Sequence, residues 1–149
     1  MSIIQEKNLA DTSIAELLIS SEKVAHVQIN NPLEHALLVL VKSGYSAVPV
    51  VDASYRLEGI ISKTAILNEI LGLERFEIEK LSDMRVNEVM NRNIPTLKNE
   101  NSLLDGLNAM IDNPFVCIVD GDGFFEGILT RKAILKMLKK EIYINSYKK

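Results

Sequence analysis

The chain reads as an α/β (α+β) protein made of two pseudo-symmetric β-α-β-β-α repeats that pack together as one pair. Three observations predict this. The stretch "VAHVQINNPLEHALLVLVKSGYSAVPVVDASYRLEGIISKTAIL" can be laid over "IPTLKNENSLLDGLNAMIDNPFVCIVDGDGFFEGILTRKAIL" in the same order, the second copy being two residues shorter. Within each copy the apolar spacing passes from alternation to a helical step and back. A unit of this size cannot cover both faces of its own sheet, so the copies are expected to bury their apolar faces against one another.

The first copy opens with Val24 to Ile29, whose alternation suits a strand. Pro32, pre-set for a first helical turn, introduces Leu33, Ala36, Leu37, Leu40 and Val41 at helical spacing, and Gly44 ends that helix. "AVPVVD" reads as a short buried strand in which Pro49 removes a ladder donor and is expected to kink the chain. "ASYRLEG" is then a turn and "EGIIS" the returning strand. Ser62 caps a final helix through Leu71, as Thr130 caps one through Leu138. The link "GLERFEIEKLSDMRVNEVM" is charged and helical in pattern, its ionic residues forming a solvated face. The expected organisation is a first repeat over residues 10–74, a helical linker over 75–90 and a second repeat over 91–140.

At 149 residues, 47% apolar and 25% charged, the chain suffices for one compact domain or two small ones sharing a core. A net charge of −3 gives no general attraction to nucleic acid or anionic lipid, so any anion site rests on a few locally placed cations. No apolar run approaches the ~18–20 residues of a membrane span. "MSIIQEKNLADTS" lacks a basic region followed by an apolar core, so no signal peptide is expected and the protein should be cytoplasmic. The single cysteine, Cys117 in "FVCIVD", reads as a small core residue. His26 and His35 have no cysteine or acid at metal-ligand spacing, and "DGDGF" lacks the further ligands of a calcium loop and reads as a hairpin turn. Neither a catalytic centre nor a metal site is expected.

Two copies of "GYSAVPVVD" or its counterpart with "G-hydrophobic-x-[ST]", each preceded by a short "ELL" or "NEVM" segment, resemble a tandem pair of CBS domains, or Bateman module, over about residues 10 to 140. The resemblance implies a regulatory module rather than an enzyme, with clefts between the repeats where adenosine-containing nucleotides bind. It also implies that one cleft collects Lys23 and Ala25, then Tyr45, Ser46 and Ala47, and finally Thr130, Arg131 and Lys132. Ser46 and Ala47 are small enough to admit a purine, and Tyr45 is suited to stack on a base. The helix start at Thr130 offers unpaired amides and the positive end of a helix dipole to a phosphate. Arg131 and Lys132 in the first turn, where acids are normally preferred, oppose that dipole unless an anion is bound. In the reciprocal cleft Pro95 replaces Ala25, while Pro114 and Phe115 replace Ser46 and Ala47, so one nucleotide cleft per chain is expected.

Nucleotide-binding members of this family often carry "GhxTxxD", whose aspartate binds the ribose hydroxyls; here Ala65 and Ala133 stand at those positions. AMP or ATP would lose that contact, worth about 1.5–3 kcal/mol. A ligand whose 3′ oxygen is already esterified would not. The chain is thereby similar to the small stand-alone cyclic di-AMP-binding CBS proteins of Gram-positive bacteria. This implies a homodimer that binds cyclic di-AMP and, when ligand-free, docks on and regulates enzymes such as a (p)ppGpp synthetase/hydrolase. Lys132 departs from an arginine's bidentate grip. The residues leave open an AMP or ATP sensor, and a ligand-free dimerisation module.

Overall fold

The computed structural model describes residues 11–147; residue 10 of the expected first repeat, and residues 1–10 of the stretch read for a leader, lie outside them. In chain order β1 is Ile19–Ser20, β2 Val27–Gln28, α1 Leu33–Ser43, β3 Ala47–Val51, β4 Leu57–Ser62, α2 Lys63–Ile70 and α3 Lys80–Asp83. The second copy follows with β5 Thr96–Leu97, α4 Leu103–Met110, β6 Phe115–Val119, β7 Phe125–Thr130 and α5 Arg131–Tyr147. Each copy therefore has the expected β-α-β-β-α order.

Compact units cut across these copies. The middle unit comprises Ala25–Ile94 with Gly123–Phe125, and the terminal unit runs up to Val24, then Pro95–Asp122, then from Glu126 onward. In the middle unit β2 pairs parallel with β3, and β3 antiparallel with β4. Val27, Leu33, Leu40, Val48, Val50, Ile61 and Ile66 fill its core. The terminal unit holds a four-stranded sheet in the order β1-β7-β6-β5, with Ile14, Leu103, Val116, Ile118, Leu129 and Ile134 beneath it. Removing each such side chain from water contributes roughly 1.5–3 kcal/mol.

Each unit is completed by a short segment lying across a glycine of a returning strand. In the terminal unit Ser20 of β1 pairs with Gly127 of β7. In the middle unit Asn91 bridges Ile60 beside Gly59, exchanging amide and carbonyl bonds at 3.0 and 2.8 Å. A Cβ at either glycine would overlap backbone, the Ile19 carbonyl oxygen against Gly127 and the Asn91 carbonyl oxygen against Gly59. The shared "EG" of the two copies is thus a steric requirement of strand docking.

Four local expectations change. Only Val27–Gln28 of the Val24–Ile29 stretch is strand, because the Asn31 carboxamide oxygen accepts from the Gln28 amide at 2.7 Å and turns the chain. The linker is mostly irregular, with one helical turn at Lys80–Asp83 and a 3-10 turn at Val86–Glu88, because the backbone there bonds across to the segment before α1 instead of continuing a helix. The Met84 carbonyl accepts the Leu33 amide, and the Val86 and Asn87 amides donate to the Asn31 and Ile29 carbonyls. α2 ends at Ile70, whereas α5 runs past Leu138 to Tyr147 through a stretch with neither glycine nor proline. Pro49 does not break β3: the strand runs through it fully buried, and the register shift falls at Val50/Val51. β2 pairs only with Val50 and Val51, so Pro49 precedes the stretch where that neighbour would need its amide.

Cys117 is buried in β6, and desolvation pushes its thiol up to about 12 from 9.0. Because the thiolate is the nucleophile, the native protein should resist an aromatic disulfide reagent for as long as the guanidinium-unfolded chain takes to react completely. Rapid native reaction would show the strand to be open. The raised value also means that this group's contribution to stability is intact below pH 9 and is lost as pH rises toward 12.

Candidate functional site

The expected site residues fall in both units. Lys23 is exposed at the end of a 3-10 turn, Ser21–Lys23, in the terminal unit; buried Val24 follows it, and half-buried Ala25 begins the middle unit.

In the middle unit α1 closes on Gly44, which adopts the left-handed conformation at φ 79° and donates its amide to the Leu40 carbonyl at 3.0 Å. This turn lifts the next residues clear of the helix. Tyr45 and Ser46 are exposed, and Ala47, 7% exposed, enters the core as the first residue of β3. Ser43 Oγ accepts the Tyr45 amide at 3.3 Å, and the Ser46 carbonyl accepts the Lys63 amide at 3.0 Å. The small-residue segment is therefore tied to the start of α2, where Ser62 Oγ accepts the Ala65 amide at 3.0 Å as expected of a cap.

In the terminal unit Thr130, Arg131 and Lys132 come together at the start of α5. Thr130 Oγ1 accepts the Ala133 amide at 3.1 Å, so Thr130 is the expected cap. No acid lies in the first turn of α5, and the exposed Arg131 and Lys132 place two cations where the helix dipole is already positive. This start favours an anion, through first-turn amides that have no partner within the helix. The Arg131 guanidinium lies back along its own unit: Nη2 donates to the Met110 carbonyl at 3.3 Å.

Two features lay beyond the sequence reading. One is that Arg131 bond, together with an apolar groove of about 420 Å³ lined by Arg131 with Leu107, Met110, Ile111, Ile134, Leu135 and Leu138. The signal for it was the replacement of Gly44 by Asp112 when the copies are superposed. The other is Tyr55, at φ 72° where the second copy has Gly123 at φ 89°. Tyr55 holds this uncommon conformation while its ring meets His26 edge-on at 5.2 Å and Phe125 at 5.9 Å, all within the middle unit. His26 adjoins Ala25, so this aromatic cluster braces the irregular segment that carries Ala25 into β2.

Among the described residues, no cluster of three His, Cys, Asp or Glu side chains could hold a metal, and no helix is long and apolar enough to cross a membrane. In "DGDGF" the Asp120 carboxylate accepts the Asp122 amide at 2.9 Å, a turn as expected.

Comparison with known proteins agrees with this architecture. The CBS-domain family matches residues 11–72 and 86–140. The cyclic di-AMP receptor B of Bacillus subtilis is 47% identical over 142 residues, covering 95% of this chain and 97% of its own. A crystal structure of a CBS domain-containing protein of unknown function from Bacillus anthracis superposes with a TM-score of 0.84 at 58% identity, covering 91% of this chain and 98% of that one. The CbpB protein of Listeria monocytogenes, crystallised in complex with c-di-AMP, matches with a TM-score of 0.82 at 48% identity over 88% of this chain and 98% of its own.

Proposed function

This chain belongs to the CBS-domain family, and from that premise we propose that it is a cyclic di-AMP receptor taking one dinucleotide per chain. The observation that carries the proposal is the start of α5, a threonine-capped helix with two adjacent cations, no first-turn acid and alanine at 133. Such a site rewards phosphate and offers no carboxylate to a free ribose. In this reading Lys23, Arg131 and Lys132 neutralise the two phosphates. Ala25, Ser46 and Ala47 leave room for one adenine, Tyr45 stacks on the other, and Thr130 presents the helix amides. The protein acts by binding, with no catalytic step.

The exposed apolar residues of α1 and α2 (Leu38, Val41, Leu67) and of α4 and α5 (Leu104, Leu107, Leu135) suit burial by a second copy, so the working form is a homodimer. Ligand-free, it docks on and regulates an enzyme such as a (p)ppGpp synthetase/hydrolase, and the dinucleotide releases it.

Isothermal titration with cyclic di-AMP, and with AMP, ATP and cyclic di-GMP in parallel, tests the proposal. Saturation by cyclic di-AMP near one per chain, weakened at least ~10-fold by Arg131→Ala through loss of a charge-assisted contact, is expected. Tighter binding of AMP or ATP would make the protein an energy sensor and overturn the ribose argument.

A further inference from the structure

The two copies close their first helices differently. α1 ends on the backbone of Gly44, which needs no side chain. α4 has no such glycine: its following residue, Ile111, remains in right-handed conformation, and its last carbonyls are served largely from side chains. Asn113 Nδ2 donates to the Ala109 carbonyl at 2.9 Å. The Met110 carbonyl accepts the Asn113 amide at 3.3 Å and Arg131 Nη2 also at 3.3 Å. A guanidinium is well suited there, because a helix C-terminus carries partial negative charge.

Arg131 thus serves the negative end of α4 with its guanidinium while its backbone begins α5. Met110, 5% exposed, and the exposed Ile111 lie beside it in the apolar groove that Leu107, Ile134 and Leu135 continue. Both bonds to the Met110 carbonyl are long, so the arginine is held there weakly compared with the charge-assisted pair it could make with a phosphate oxygen.

We infer that Arg131 is a two-position residue which caps α4 in the ligand-free protein and leaves that cap to grip phosphate when the dinucleotide binds, loosening the last turn of α4 and the wall of the adjacent groove. This rests on the receptor reading above and adds its consequence: ligand occupancy is transmitted to an apolar helix face within the terminal unit by one side chain that cannot serve both acceptors. α1 has no part in the exchange, since Gly44 closes it from the backbone.

Amide hydrogen exchange on the full-length protein, with and without saturating cyclic di-AMP, tests the switch. Losing one ordinary hydrogen bond at a helix end corresponds to roughly five-fold faster local opening. Peptides spanning residues 107–113 should exchange about that much faster with ligand, while those spanning residues 40–45 should not accelerate. Arg131→Gln without ligand should show the faster exchange already, whether or not any ligand is known. Calorimetry on the same samples separates the two levels. If cyclic di-AMP binds but residues 107–113 keep or gain protection, the switch is wrong and the receptor stands. If Arg131→Gln leaves that turn as protected as in the unsubstituted protein, the cap role is wrong. If cyclic di-AMP does not bind, both fall together.

Discussion

Gly127→Val should lower the thermal midpoint by roughly 6–12 °C, corresponding to about 3 kcal/mol in a chain of this size. Gly127 sits in β7 opposite Ser20 of β1, and a Cβ there would overlap the Ile19 carbonyl oxygen and a methyl of Leu18. The leucine could turn aside, but the carbonyl belongs to the strand that closes the sheet edge. Relief requires β1 to leave β7, taking with it the segment that leads into Lys23. The loss is a large share of the ~5–15 kcal/mol that holds a domain folded. Gly121→Ala is the control, since nothing lies within 4 Å of a Cβ there and its effect should stay within about 0.5 kcal/mol. Circular dichroism melts of the three proteins decide the matter, and an unchanged midpoint for Gly127→Val would mean that β1 is not seated against β7.

Ala133→Asp should raise the affinity for AMP by roughly 10- to 150-fold, the equivalent of the ~1.5–3 kcal/mol carried by a hydrogen bond to a charged group. Position 133 is the third residue of α5, its amide already bound by Thr130 Oγ1. A carboxylate there also complements the helix dipole, so the variant should fold at least as stably as its parent. Cyclic di-AMP, whose 3′ oxygen is esterified, has less to gain from the new acceptor and meets a new negative charge beside its phosphates. Its affinity should therefore stay level or fall. Parallel calorimetric titrations of both ligands read the result directly. No gain for AMP in a stably folded variant would show that the absent aspartate is not what disfavours mononucleotides.

Much of this protein follows from residues that act locally. Gly44, Ser62 and Thr130 do what their chemistry dictates wherever the chain places them: one supplies a left-handed turn and the others an oxygen for a helix amide. The duplicated order of strands and helices was legible for the same reason, since apolar period reports the face each segment buries. The site residues were nominated by the resemblance to a CBS pair, and two cations without an acid at a helix start, which conflict with the helix itself, added a physical reason to expect an anion there.

What depended on distant partners was not legible. Charge pattern suggested a helix across the linker, but the backbone at residues 84–87 is tied to residues 29–33, far away in sequence, instead of continuing a helix. Pro49 looked like a kink because the single strand hides which neighbour would have used its amide. The "EG" pair recurred in both copies, yet only the docking of β1 on β7 and of Asn91 against Ile60 explains why a side chain is excluded. The division into compact units likewise crosses the repeat boundaries, because sheet edges are completed by strands remote in sequence. The second role of Arg131 belongs to the same class. By itself the sequence determined two repeats, their caps and a cationic helix start, since these are settled by neighbours within a turn or two. Only the tertiary structure decided that this arginine closes the end of α4, because the carbonyl it meets lies 21 residues away along the chain.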